Sequence, residues 1–219
     1  MSFGNSIDET IHEAIVALQQ SIQAHPFIGF VESVPAYCSL AIFYDVEEVR
    51  RNNIVASTVF DFVRDLATQI LLQPHQAANQ HKKQQIEIPV LYNGEDLEGL
   101  AAFHQLPVAE IIRLHTANAV KVFMIGFLPG FAYMGKVDDR IATARLALPR
   151  ATVKAGAVGI AGSQTGIYPV DSPGGWRIIG QTPFKIFDIN KTSPCLLQPG
   201  DSVKFVAIDR ETFDKLDEY

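Results

Sequence analysis

Glycine, proline and aromatic residues crowd three stretches in the second half of the chain. They are Gly126-Phe-Leu-Pro-Gly-Phe-Ala-Tyr-Met-Gly135, Ile160-Ala-Gly-Ser-Gln-Thr-Gly-Ile-Tyr-Pro169 and Ser172-Pro-Gly-Gly-Trp176. The density exceeds what ordinary turns need. Gly reaches backbone angles closed to other residues, and Pro fixes φ. Aromatic side chains in the same loops supply a rigid, partly polar contact surface. Three such loops in one half of a small chain point to a site built on them.

Upstream, the pattern is helical and then stranded. Ser6-Ile-Asp-Glu9 has the form of a capping box, and Ile7, Ile11, Ile15, Leu18 and Ile22 recur at helical spacing before Pro26. Phe27 to Val34 and Cys38 to Val46 read as two strands broken by Pro35, the second placing Leu40, Ile42, Tyr44 and Val46 on one face. Thr58 is placed to cap a second helix with Val59, Phe62, Val63, Leu66 and Ile70 as its buried stripe, stopped by Pro74. This order predicts a small α+β domain over residues 1–80. Residues 74–85 hold no large apolar side chain and read as a linker, and His75 and His81 within them read as solvated rather than as a metal pair.

From residue 81 to 219 the chain reads as an all-β barrel with short helices. A strand is expected from Ile86 to Tyr92, helices near 95–105 and 107–117, and a buried strand from Ala119 to Gly126. Turn signals then recur at Pro129-Gly130, Pro173-Gly174-Gly175, Asn190-Lys191 and Pro199-Gly200-Asp201, and a terminal helix begins near Glu211.

The totals exclude some functions. The 219 residues carry a formal net charge of -6, which argues against a general nucleic-acid binder. No apolar run approaches the ~20 residues of a membrane span. No basic-then-apolar leader is visible at the N-terminus, and Cys38 and Cys195 are expected to be buried thiols in a reducing cytoplasm.

Individual residues carry competing readings. His115 shares a helix face with Val108, Ile111 and Ile112, so it is either a satisfied core residue or, at a barrel mouth, an acid, base or phosphate contact. Lys136, Arg140, Arg145, Arg150 and Lys154 form a basic run interrupted by Asp138 and Asp139; it is either a solvated hairpin or a carboxylate- or phosphate-recognition segment, with Arg150 the best placed. The segment Gly159 to Gly166 fails the P-loop, dinucleotide and nucleophile-elbow spacings, although loop amides can bind an anion without them. Gln164 and Tyr168 offer polar contacts to a small substrate, and Trp176 is either a barrel plug or a platform for a partner. No cluster of Cys and His indicates a metal.

Taken in order, Gly126-Phe-x-Pro-Gly-Phe-x-Tyr-x-x-Gly135, Pro149-Arg150, Gly159-Ile-Ala-Gly-x-Gln-Thr-Gly-Ile-Tyr-Pro169 and Pro173-Gly-Gly-Trp-x-x-Ile-Gly-x-Thr182 closely resemble the 5-oxoprolinase B-subunit family, also called KipI or allophanate hydrolase subunit 1. Val34-Pro-Ala-Tyr37 and Gln198-Pro-Gly-Asp201 extend the resemblance over nearly the whole chain. It implies an N-terminal α+β domain followed by a cyclophilin-like β-barrel. It also implies partners, the 5-oxoprolinase C-subunit directly and the A-subunit with it. Together they open 5-oxo-L-proline to L-glutamate at the expense of ATP, with Mg, as co-substrate. The resemblance puts His115 and Arg150 in catalytic roles and Gly130, Phe131, Tyr133, Arg145, Gln164, Thr165 and Tyr168 around the substrate, with Pro173, Gly174, Gly175 and Trp176 on the rim. It implies no metal ligand set, no nucleic acid and no membrane partner. Inhibition of a sensor histidine kinase is the alternative function within the same resemblance.

The chain departs from the family pattern at Ala144-Arg145, where Pro-Arg is usual, and at Val153-Lys-Ala-Gly-Ala157, where Val-Pro-x-Gly-Ser is usual. No serine chemistry is therefore expected at 157. The family's first strand also has no counterpart, which predicts an unpaired sheet edge.

Overall fold

The computed structural model describes residues 1–5, 8–52, 58–72 and 85–217. These form two compact units, Met1–Lys82 and Lys83–Tyr219.

In the first unit, helix α1 (Glu9–Ala24) buries Ile15, Leu18 and Ile22, the stripe its spacing predicts. Its cap is Asp8, whose carboxylate accepts from the amides of Thr10 and Ile11, in place of the expected Ser6. Ser6 and Ile7 lie outside the described residues. Strands β1 (Phe30–Pro35) and β2 (Leu40–Tyr44) pair antiparallel, and Leu40 and Ile42 join the helical core. Val46 does not extend β2. Asp45 caps a short helix there, α2 (Val46–Asn52), by accepting from the Glu48 amide. Helix α3 (Val59–Leu72) is capped by Thr58 as expected. The predicted unpaired edge is partly covered: the Phe3 amide donates to Cys38 and the Leu40 amide to Met1. Pro74, His75, His81 and the proposed linker up to residue 84 lie outside the described residues.

The second unit is a nearly closed barrel-like sheet, as the sequence led one to expect. Strands β3 (Gln85–Val90), β4 (Val120–Ile125), β5 (Ala132–Gly135), β7 (Ala157–Ala161), β8 (Gln164–Ile167), β10 (Arg177–Gln181) and β11 (Ser202–Ala207) run in the order β10-β7-β8-β5-β4-β11-β3. Every pair is antiparallel except β11 with β3. The two ends meet through reciprocal backbone bonds between Leu91 and Gln181. A separate ribbon pairs β6 (Arg150–Val153) with β9 (Ser172–Gly174). Helices α4 (Leu97–His104) and α5 (Val108–Ala117) add Leu100, Ile111 and Leu114 to the main core, and α6 (Arg210–Asp217) ends the described chain.

Strand alternation gives this sheet two apolar faces. Val158, Ile160, Ile167, Ala132, Met134 and Ile179 point into the main core. Ala157, Ala161 and Ile178 belong to a second cluster, with Phe131, Tyr168 and Trp176. Short strands buried on both faces explain why the sequence reads here as continuous apolar and glycine runs rather than alternation. Among the described residues no helix is long and apolar enough to cross a membrane, and no group of His, Cys, Asp or Glu could hold a metal. Cys38 and Cys195 are free thiols, half-buried rather than fully buried.

Gly156 sits at φ +81°, and a Cβ there would lie 2.6 Å from the Thr182 carbonyl oxygen. The left-handed backbone alone costs a non-glycine residue roughly 1–2 kcal/mol. Gly156→Ala is therefore expected to destabilise the protein by at least that amount, read as a lower urea midpoint with an unchanged slope.

Candidate functional site

The second cluster is organised around Phe131. Its ring makes edge-to-face contacts with Phe127, Tyr133, Tyr168 and Trp176 at centroid distances of 5.6, 4.8, 5.3 and 5.3 Å. Each such pair contributes about 0.5–1.5 kcal/mol beyond burial. The rings lie on a bed of glycines. A Cβ on Gly166 would stand 3.0 Å from the Trp176 ring, and one on Gly159 would stand 3.1 Å from the Trp176 Cβ. A Cβ on Gly174 would collide with the Tyr168 hydroxyl. The Gly159–Gly166 pair faces itself across β7 and β8. The glycine-rich segment is therefore flat ground for aromatic rings and not a phosphate loop. Gly130, at φ +81°, is packed against Phe187 in the same way.

The rim of this cluster is open. Phe127 is 63% exposed, Tyr133 and Gln164 are half-buried, Pro173 is exposed and Gly175 half-buried. Arg145 is exposed, and its segment is fixed by Leu146 N–H donating to Gly175 and Arg177 Nε donating to Ala144. Burial raises the Tyr133 and Tyr168 hydroxyls above the ordinary phenol range, and the Arg145 charge pulls both back. The remaining cations of the basic run differ. Arg140 is chelated by Asp138, and Lys154 pairs with Asp171 at 2.7 Å.

Arg150 is committed. Its Nη2 donates to both oxygens of Asp96 at 2.7 and 2.8 Å, its Nε reaches Glu95 at 2.6 Å, and its Nη1 donates to the Trp176 carbonyl at 3.2 Å. Asp96 also accepts from the Ile178 amide at 2.6 Å and donates its own amide to Ile178. A bulge between Ile178 and Gly180 leaves these β10 groups free for the turn that enters α4.

His115 is 2% exposed, and both ring nitrogens are engaged. Thr165 donates its hydroxyl to Gly159, so it accepts from Nε2–H, and Nδ1 in turn accepts from Tyr92. The bonds measure 2.6 Å to Tyr92, 2.9 Å to Thr165 and 3.0 Å from Thr165 to Gly159. The ring lies over Phe205 with centroids 4.5 Å apart. Burial holds it neutral, with its pKa pushed down to about 3, and raises the Tyr92 hydroxyl.

The predicted site residues thus fall into three sets. Phe131, Tyr133, Tyr168, Gly174 and Trp176 meet on the outer face with Arg145 beside them. His115 and Thr165 share an internal chain. Arg150 ties the seam of the barrel to the Trp176 backbone. Tyr92, Glu95 and Asp96 were missed, and no spacing could reveal them, since Asp96 lies 54 residues from Arg150 and 82 from Ile178. A further cleft of about 230 Å³ opens beside the seam between Glu95, Lys154 and Gln181.

An aromatic face with an exposed cation at its rim is thus the candidate site. Residues 1–197 match the model of the carboxyltransferase domain, subdomains C and D. The chain is 39% identical over 218 residues to the 5-oxoprolinase B-subunit of Bacillus subtilis, spanning 96% of this chain and 89% of that protein. It is 52% identical over 124 residues to the Haemophilus influenzae protein of the same name, which is 55% of this chain and 58% of the relative. The crystal structure of TTHA0988 superposes with a TM-score of 0.82 at 32% identity, over 95% of this chain and 39% of that longer one. The chain belongs to the carboxyltransferase-domain family of subdomains C and D, and within it to the 5-oxoprolinase B-subunit family.

Two outcomes follow from the geometry. Between about pH 6.5 and 3 the unfolded chain binds a proton at His115 that the folded chain does not. Stability therefore falls as the pH drops through that window, by up to about 1.4 kcal/mol per unit from this residue, and His115→Gln removes that component from a pH series of urea unfolding. Arg150→Ala leaves Asp96 partly buried without its cation. It is expected to cost roughly 2–4 kcal/mol, below the top of the range for breaking a buried pair because Arg150 keeps 20% exposure.

Proposed function

We propose that this chain is the B component of an ATP-dependent 5-oxoprolinase, acting with its A- and C-subunits to open 5-oxo-L-proline to L-glutamate. The near full-length identity with the Bacillus subtilis protein carries this reading. The site geometry supports a shared step. A lactam is a poor electrophile, and phosphorylation of its oxygen by ATP, with Mg, would create a leaving group. The charge that develops needs cations and donors already in place.

Arg145 is the cation we assign to substrate carboxylate or to the transferred phosphoryl group. Its guanidinium is exposed and has no ion-pair partner among the described residues. Tyr133 and Gln164 offer hydrogen bonds at the same rim. His115, Thr165 and Arg150 act as positioning residues in this reading, because their polar atoms are engaged within the protein. The facing half comes from the C-subunit, and ring opening is finished on the A-subunit.

The purified chain mixed with the A- and C-subunits is expected to release glutamate only when both ATP and 5-oxoproline are present. No release from the complete set rejects the reading. Within that set Arg145→Ala should lower kcat/KM about tenfold or more, near 1.4 kcal/mol of transition-state stabilisation, with an unchanged melting temperature. Unaltered kcat/KM removes Arg145 from the site.

A further inference from the structure

We propose that the cleft beside the barrel seam is a binding site for a small zwitterionic amino acid. It is separate from the aromatic face in its polar groups. Its lining brings together Asn93 and Glu95 from the turn entering α4, Thr152 and Lys154 from β6 and its end, and Gln181 from β10. At about 230 Å³ it is smaller than the ~300 Å³ at which pockets for drug-sized ligands begin, so it admits only a small molecule.

The charges set the ligand's chemistry. Glu95 and Asp96 share the single guanidinium of Arg150, and of the two carboxylates Glu95 lines the cleft. Arg150 already donates twice to Asp96 and holds only one Glu95 oxygen, so the second Glu95 oxygen is open to an ammonium group. Lys154 lines the same cleft from the end of β6. Its pairing with Asp171 is solvent-exposed on both sides, 80% and 49%, and such pairs exchange partners at little cost. An incoming carboxylate therefore meets Lys154 while the ammonium meets Glu95. The Thr152 hydroxyl and the Gln181 amide oxygen offer further polar contacts to the rest of the molecule. When the Asn93 amide is oriented to suit its neighbours, its oxygen accepts from Gln181 and Arg210, which holds that part of the lining in place.

Glycine lets the turn entering α4 lie close against β10. A Cβ on Gly180 would meet the Leu91 carbonyl at 2.7 Å, and one on Gly94 would collide with the Ile178 carbonyl. The seam is therefore preformed, and little ordering is needed on binding.

The choice of L-glutamate as probe rests on the function proposed above; the charge complementarity does not. Calorimetric titration of the full chain alone with L-glutamate should show saturable binding. Glutarate, which lacks the ammonium, and 5-oxo-L-proline, whose nitrogen is a neutral lactam, should bind at least tenfold more weakly. Glu95→Gln and Lys154→Met should each weaken glutamate binding about tenfold, and both side chains are exposed enough to leave the fold intact. Equal affinity for glutarate, indifference to both substitutions, or no binding at all overturns the proposal. The two readings fail separately. Glutamate release by the complete enzyme without binding to this chain rejects the cleft alone, and binding without release rejects the enzyme alone.

Discussion

One carboxylate, that of Asp96, ties together the elements that close the barrel. Asp96 accepts two bonds from Arg150 and one from the Ile178 amide, so a single side chain joins β6, the bulged β10 and the start of α4. Leu91 and Gln181 link the sheet's ends by a reciprocal backbone pair, and the Gly94 and Asp96 amides add backbone bonds to Ile179 and Ile178. An ion pair with 20% and 11% side-chain exposure reinforces that seam. Partial desolvation strengthens that pair and makes either partner costly to lose. The same guanidinium holds the Trp176 carbonyl, so the seam and the aromatic face are set by one anchor.

The sheet between them is covered on both sides. Its inner face is filled by aliphatic side chains and by a polar chain from Tyr92 through His115 and Thr165 to Gly159. Its outer face has glycine and alanine where inner positions have isoleucine and valine. Residues without bulk let Trp176 and Phe131 approach the backbone closely. Of these rings Phe127 and Tyr133 reach the rim, while Phe131, Tyr168 and Trp176 stay buried beneath them.

Much of this was legible because it is local. Helices α1, α3, α4 and α5 follow from apolar spacing, and the strands from turns that interrupt short apolar runs. The misses have physical causes. Helix α2 buries only Val49, too few apolar positions to register a period. Asp8 outcompetes Ser6 as a cap, a choice between two good acceptors that spacing does not decide. The loops stood out by their glycine, proline and aromatic content, yet the reason for their glycines emerges only from the register that sets Gly159 opposite Gly166. His115 showed its buried face through Ile111, but its partners lie 23 and 50 residues away. Arg150 looked like a free cation because its counter-charges are equally remote.

Trp176 is the chain's single tryptophan, and it rests directly on the backbone of β7 and β8. Its indole is buried, 6% exposed, on the side of the sheet opposite the main core. Intrinsic fluorescence of this protein is therefore a reporter for one layer only. Loosening of the outer aromatic layer shifts the emission even if the barrel interior stays packed, whereas a change confined to the inner face is optically silent. The molecule carries its own probe just beneath the rim of the aromatic face that we propose as the site.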